Sequence, residues 1–426
     1  MSGVRVTPRP VRGTVRPPSS KSYTHRALIA GHLSGRRFSV DRPLRSDDTV
    51  RTARALEALG SRVRLGPRRW TVRPSRAGPS TGPAVVDCGE SGTTLRFLSA
   101  VAARTGRPVV LGGRGRLPQR PMSPLVEALR QLGARVDRPA ASGRSLPMRI
   151  TGPLHAGRVV VDPSESSQFV SALLLVLPTV PGTSEVRLER DPVSAPYIAA
   201  TVAVLRAGGV HLVERNRTFR IRGPQSYRSR SFRVPGDASS AAYLWAAAAV
   251  SGGNVTVLGL PDRWPQADLA VLPLLRRFGA RVVRTREGTR VRAGARRPFS
   301  LDLTDSPDLY PLAGVLAACA PGTSRLIGAS HVAAKESDRR AETIGLARAM
   351  GAHVAPRPKE LRITGRDRPT AFSIRGATDH RVVMSAAVGA LAGDGPSTIG
   401  QREAVAKSFP DFWTVLARLG AGVRPA

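Results

Sequence analysis

The chain has 426 residues, with 66 Lys plus Arg against 30 Asp plus Glu and a formal net charge of +36. This length suggests two or three domains with large cores, and a hydrophobic content of 41% argues against wholesale disorder. Two cysteines, Cys88 and Cys319, exclude a disulfide scaffold and a four-cysteine zinc site.

The longest apolar run, near Ala241–Val250, is about half of the ~20 residues that a membrane helix needs. The start, Met1-Ser-Gly-Val-Arg-Val, has no apolar core with a cleavage site. A soluble, cytoplasmic protein with no metal is therefore expected. The cations are skewed: 62 are Arg, and only Lys21, Lys335, Lys359 and Lys407 are Lys. Arg is spread through every segment, which reads as compositional background. Aromatics are 4%, too sparse for a base-stacking platform, so no specific nucleic acid is expected.

A phrase of the type Leu-x-x-Leu-Gly-Ala-x-Val recurs six times along the chain. It runs from ALEALGSRV, ending at Val63, to VLARLGAGV, ending at Val423. Its glycines are Gly60, Gly133, Gly209, Gly279, Gly351 and Gly420, at spacings of 73, 76, 70, 72 and 69. Each copy predicts a helix with one buried face, a left-handed Gly stop and a strand. The first copy is expected to hold further helices at Tyr23–Leu33 and Ser91–Thr105. Six copies split as three plus three, and the first strand, Val4–Val6, is expected to supply a missing sheet edge to the second half. A ligand would favour the cleft of such a two-lobed protein.

In chain order, Lys21, Ser22 and Arg26 open what reads as an amphipathic helix, where N–H groups, a hydroxyl and cations suit an anion. Gly89-Glu-Ser-Gly92-Thr is a Gly-rich turn into a helix, where backbone can approach a phosphate. Arg120 sits in a Pro-restrained turn before a helix at 124–132. Ser164, Ser166, Ser167 and Gln168 form a polar turn suited to a polyol. Asp308 follows a strand at 299–303. Lys335 and Arg339, at i and i+4, would share a face if helical. Asp379-His-Arg381 and Lys407 complete the set. Three of the four lysines fall in these motifs. Arg cannot replace a compact charge that must touch a small anion or share a proton. No histidine pair has metal spacing, and no Gly-x-Ser-x-Gly elbow occurs. The remaining chemistry is fixed cations, hydroxyls, one Asp and one Glu, which fits two anionic substrates with acid–base chemistry between them.

These motifs, in this order, resemble the 5-enolpyruvylshikimate-3-phosphate synthases. SSKSYTHRALIA, GESGTTLR, LPQRPMSPL, SESSQFVSALL, VSAPYI, GDASSAAYLWAAAA, SPDLYPLA, KESDR, DHRVVMSAA and AVAKSFPDFW carry the likeness over nearly the whole chain. The resemblance implies an α/β fold of two lobes, each of three βαβαββ units, in an inside-out α/β barrel. The lobes would be residues 1–14 plus 236–426, and 15–235, with the substrates in the cleft between them. It implies transfer of the enolpyruvyl group of phosphoenolpyruvate to the 5-hydroxyl of shikimate 3-phosphate, by a monomer without cofactor or metal. Lys21, Ser22, Arg26, Ser166, Ser167, Gln168, Ser194, Asp308 and Lys335 would bind shikimate 3-phosphate, with Tyr197 nearby. Lys21, Gly92, Arg120, Gln168, Arg339, Arg381 and Lys407 would hold phosphoenolpyruvate. Asp308 would be the base, Glu336 the proton donor to the methylene, and Lys21 a third catalytic group. Glu90 and Val332-Ala333-Ala334 depart from the family pattern.

Three alternatives are weaker. The UDP-N-acetylglucosamine enolpyruvyl transferases usually have Cys in a loop that here reads Gly112-Gly113-Arg114. RNA 3′-phosphate cyclases would leave KESDR, DHR and AKSFPD without a role. A catalytically dead relative would not need Asp308, Glu336 and three motif lysines.

Overall fold

The computed structural model describes residues 3–75, 82–138 and 144–426. They form two compact units. A terminal unit comprises Met1–Pro18, Gly236–Asp262 and Gln266–Ala426, and a middle unit comprises Ser19–Pro235 with Arg263–Pro265. Each unit encloses its own hydrophobic core.

Six four-stranded sheets occur among the described residues, three in each unit, and all follow one plan. In one repeat, Ser300–Asp302 runs parallel to Gly322–Ile327, which is antiparallel to Glu360–Gly365, itself antiparallel to His353–Arg357. Helices follow the first and second strands, so the chain order is βαβαββ and the spatial order is first, second, fourth, third. The first strands are matched across the crossings. Arg12–Val15 pairs with Asn254–Leu258 in the terminal unit, and Ser231–Arg233 pairs with Phe38–Asp41 in the middle unit.

Each repeat uses two kinds of helix. Those after the first strands are α1 (Lys21–Leu33), α3 (Gly92–Arg104), α5 (Gln168–Val176), α7 (Ala238–Val250), α9 (Tyr310–Ala318) and α11 (His380–Ala390). They are buried nearly all round, and within each unit the three pack on one another. Those after the second strands are α2 (Asp47–Ala58), α4 (Ser123–Gln131), α6 (Ala195–Ala207), α8 (Val271–Arg277), α10 (Arg339–Ala349) and α12 (Phe412–Arg418). They bury one face only. All six repeat glycines have positive φ, from +80° at Gly209 and Gly351 to +105° at Gly420. Such a backbone favours Gly and stops the second helix. Helices inside and sheets outside make each unit an inside-out α/β barrel of three repeats.

Three expectations need correction. Val4–Thr7 is not an edge strand. It lies between Ser397–Ile399 and Gly422–Pro425, antiparallel to both, because the chain start fills the fourth-strand place of the last repeat. Helix α1 is not amphipathic: ten of its residues are buried, including Thr24, His25 and Arg26, because it belongs to the inner set. Helix α3, expected in the first repeat, opens the second, since it follows Ala84–Asp87 of the next sheet.

Candidate active site

The first two strands of every repeat are parallel, so their carboxyl ends lie at the same edge of the sheet. All candidate residues sit after one of those two ends. The start of the first helix carries Lys21 and Ser22, Gly92, Ser166–Gln168, Asp308, and Asp379 with Arg381. The link after the second strand carries Arg120, Ser194, Lys335 with Glu336, and Lys407.

In the middle unit the first turns of α1, α3 and α5 hold no acidic residue. Three helix N-termini, each with a partial positive charge, thus have no acid in their own first turns. Lys21 Nζ lies 3.1 Å from Asp48 Oδ2, and Asp48 is nearly fully buried. Asp48 is a partner of Lys21 that reading for cations overlooks; its signal is the capping Ser46 before two acids at a helix start. Gln168 ties α5 to α3. Its Nε2 donates to Thr93 Oγ1 at 3.0 Å, and its Oε1 accepts from Arg96 Nη1 at 2.9 Å. Arg96 also donates to the Pro121 carbonyl at 2.9 Å, which fixes the turn that carries Arg120. Arg120 is buried, and its guanidinium lies against Gly92. Ser166 and Ser167 are buried at the start of α5.

Arg26 is 2% exposed. Its Nε donates to Thr201 Oγ1 at 2.8 Å, its Nη1 to the Ser22 carbonyl at 3.0 Å and its Nη2 to the Tyr197 carbonyl at 2.9 Å. It joins Ser22 to the turn of Ser194 and Tyr197, and burial pulls its guanidinium down to about 10. Ser194 caps α6 with φ +58°, a left-handed backbone rare for a residue with a Cβ. Ala329 and Gln401 repeat that geometry before the segments that carry Lys335 and Lys407. Glu90 is exposed at the turn before α3, with its carboxylate over Gly115.

The terminal unit fills its helix starts with its own acids. Asp237 caps α7, Asp379 caps α11, and Asp308 lies just before α9. Arg339, 1% exposed, binds three carboxylates at once. Its Nε donates to Asp379 Oδ2 at 2.8 Å, its Nη1 to Asp308 Oδ1 at 2.6 Å and its Nη2 to Glu336 Oε2 at 2.7 Å. Arg381 Nη2 donates to the other Asp308 oxygen at 2.6 Å. Burial alone would raise the Asp308 carboxyl, but Arg381, Arg339 and Lys335 outweigh it and hold it far below the usual range. Burial likewise opposes the Arg339 charge, yet Asp379, Glu336 and Asp308 raise its pKa.

Lys335 and Arg339 do not share a helical face. Lys335 has an extended backbone after the 3-10 turn Ser330–Ala334, and α10 begins only at Arg339, capped by Asp338. The Asp338 side chain takes the N–H groups of Arg340 and Ala341, which starts the helix there. Lys407 ends the 3-10 turn Arg402–Lys407, while Lys359 is exposed in the hairpin before Glu360–Gly365. His331, also overlooked in the sequence, faces the Lys335, Asp308 and Arg339 charges; burial first, then Lys335, pulls its pKa down to about 3. Among the described residues no group of three or more His, Cys, Asp or Glu could hold a metal ion, and no helix is long and apolar enough to cross a membrane.

Comparison with known proteins adds three findings. The model of the EPSP synthase (3-phosphoshikimate 1-carboxyvinyltransferase) family matches residues 6–416. Proteins named 3-phosphoshikimate 1-carboxyvinyltransferase are similar: that of Methanocorpusculum labreanum is 36% identical over 97% of each chain, and that of Halobacterium salinarum R1 is 40% identical over 98% of each. The solved structure of EPSP synthase from Acinetobacter baumannii superposes with a TM-score of 0.83 over 100% of both chains, at 24% identity, a likeness of fold.

Proposed function

The chain belongs to the EPSP synthase family, and from that premise we propose how its residues divide the work of enolpyruvyl transfer. The reaction moves the enolpyruvyl group of phosphoenolpyruvate to the 5-hydroxyl of shikimate 3-phosphate and releases phosphate.

In this reading, shikimate 3-phosphate meets the helix starts of the middle unit. Lys21, Ser22, Ser166, Ser167, Gln168 and Ser194 bind its phosphate and ring hydroxyls. Arg26, whose three nitrogens are engaged with protein, sets the backbone of Ser22 and Tyr197 and adds its charge. Asp308 and Lys335 reach the same substrate. Lys21, the Gly92 backbone, Arg120, Gln168, Arg339, Arg381 and Lys407 hold phosphoenolpyruvate.

The observation that carries the chemistry is one buried guanidinium holding two carboxylates side by side, Asp308 at 2.6 Å and Glu336 at 2.7 Å from neighbouring Arg339 nitrogens. Addition to an enol phosphate needs a proton placed on the methylene and another removed from the attacking hydroxyl. Glu336, in its protonated form, serves as the donor to the methylene, and Asp308, held ionised, accepts the hydroxyl proton. In the resulting adduct one carbon bears the new methyl, the carboxylate, the phosphate and the shikimate oxygen. Return of a methyl proton to Glu336 and departure of phosphate then restore the double bond. Arg339, Arg381 and Lys407 stabilise the charge that moves to the departing phosphate. We further infer a monomer that acts in the cytoplasm; that each unit encloses its own core supports the first point, and light scattering after gel filtration tests it.

A coupled phosphate-release assay with both substrates tests the reading. Wild type releases phosphate only when both are present. Asp308→Asn and Glu336→Gln each lower kcat by about 10²-fold or more. Folded variants with wild-type turnover would remove these two residues from the chemistry.

A further inference from the structure

Asp308 has two duties in the proposed mechanism that conflict. It anchors Arg381 through Oδ2 and receives a proton from the substrate hydroxyl. Once protonated, it holds a guanidinium far less strongly, because an ion pair becomes a hydrogen bond from a cation to a neutral acid. Arg339 keeps Asp379 and Glu336 at that moment, whereas Arg381 loses its Asp308 contact.

Helix α7 places a second group beside Arg381. Tyr243 is 1% exposed, and its phenol feels the charges of Arg381, Arg339 and Asp308, Arg381 most strongly. Its ring is fixed edge-on against Phe412, with centroids 6.4 Å apart. The Tyr243 hydroxyl is buried and makes no well-formed hydrogen bond. Phe at this place would keep the ring packing and remove only the hydroxyl. Burial, the largest effect, pushes the phenol up to about 12, so it stays neutral with a lone pair to offer.

We propose that Tyr243 is a positioning residue for Arg381: its hydroxyl oxygen accepts an Arg381 N–H while Asp308 carries the substrate proton, and so keeps the guanidinium on phosphoenolpyruvate. This rests on the reading that Arg381 grips that substrate. Tyr243→Phe deletes only the hydroxyl. Its KM for phosphoenolpyruvate rises about tenfold, the size of one hydrogen bond to a charged group. Its KM for shikimate 3-phosphate stays within twofold, and its Tm is equal to or above wild type.

Arg381→Lys, measured in parallel, separates the two claims. If Arg381→Lys raises the phosphoenolpyruvate KM strongly and Tyr243→Phe leaves it within twofold, the positioning role is overturned and the grip of Arg381 stands. If both leave it unchanged, the grip fails and the inference with it. A fall in Tm of Tyr243→Phe with both KM values rising together would make Tyr243 a packing residue, which also overturns the proposal.

Discussion

Arg120 lies so close to Gly92 that a Cβ built on the glycine would stand 2.5 Å from the Arg120 Nη1. The neighbour is the far end of a flexible side chain, so Gly92→Ala is accommodated by moving the guanidinium. The cost therefore falls on binding. The KM for phosphoenolpyruvate is expected to rise about tenfold, as for one lost charge-assisted contact, with Tm little changed. Steady-state kinetics and a thermal melt on the same preparation check this; an unchanged KM would remove Arg120 from that substrate.

Lysine-to-arginine substitutions should split by place. Lys21, Lys335 and Lys407 lie after the carboxyl ends of parallel strands, whereas Lys359 is exposed in a hairpin. Lys335→Arg and Lys407→Arg are expected to lower kcat/KM by at least about tenfold, since a planar fork cannot replace a compact charge on a small anion. Lys359→Arg should match wild type. Equal behaviour of all three would refute the reading of the rare lysines.

Acid should weaken the fold through His25. Its Nδ1 lies 2.8 Å from Thr52 Oγ1, and burial, the dominant effect, pulls its pKa down to about 3, with Asp48 opposing and Lys21 and Arg26 assisting. An unfolded His titrates near 6.5, so between those values the unfolded chain binds a proton that the folded chain refuses. The stabilisation is complete above about pH 6.5 and falls steadily toward pH 3. At pH 4.5 the loss from this residue is about 3 kcal/mol. Urea midpoints at pH 7 and 4.5 should therefore drop less for His25→Asn than for wild type.

Two repeat glycines give a test of strain against space. Gly60 and Gly279 both have positive φ. A Cβ at Gly60 meets nothing within 4 Å, while one at Gly279 would lie 1.8 Å from the Ala295 carbonyl oxygen. Gly60→Ala should cost about 1–2 kcal/mol from backbone conformation alone. Gly279→Ala should cost clearly more, because backbone must move. Urea unfolding of the two variants reads the difference.

The repeats were legible because a left-handed helix stop has a chemical fingerprint, and Gly60 through Gly420 all carry it. The rank of a strand within its sheet has none: Val4–Thr7 reads alike at an edge or inside, and only the register with Ser397–Ile399 and Gly422–Pro425 decides. The burial of α1 was hidden by its polar residues, since Arg26 and His25 look like surface groups until Thr201 and Thr52 are placed beside them. Cations of the site stood out against their surroundings. Asp48 did not, because its importance comes from Lys21, 27 residues away in sequence. Tyr243 was concealed in an alanine-rich helix that reads as core.

The pairing of Val4–Thr7 with Gly422–Pro425 also fixes a timetable for synthesis. Val4–Thr7 waits long for its neighbours, since both of them lie beyond residue 396. The middle unit needs nothing later than Pro265, so it can close while the start of the chain waits unpaired. A nascent chain stopped a few residues short would leave that waiting strand exposed along one side. The terminal unit thus cannot complete this sheet until the residues up to Pro425 have been made.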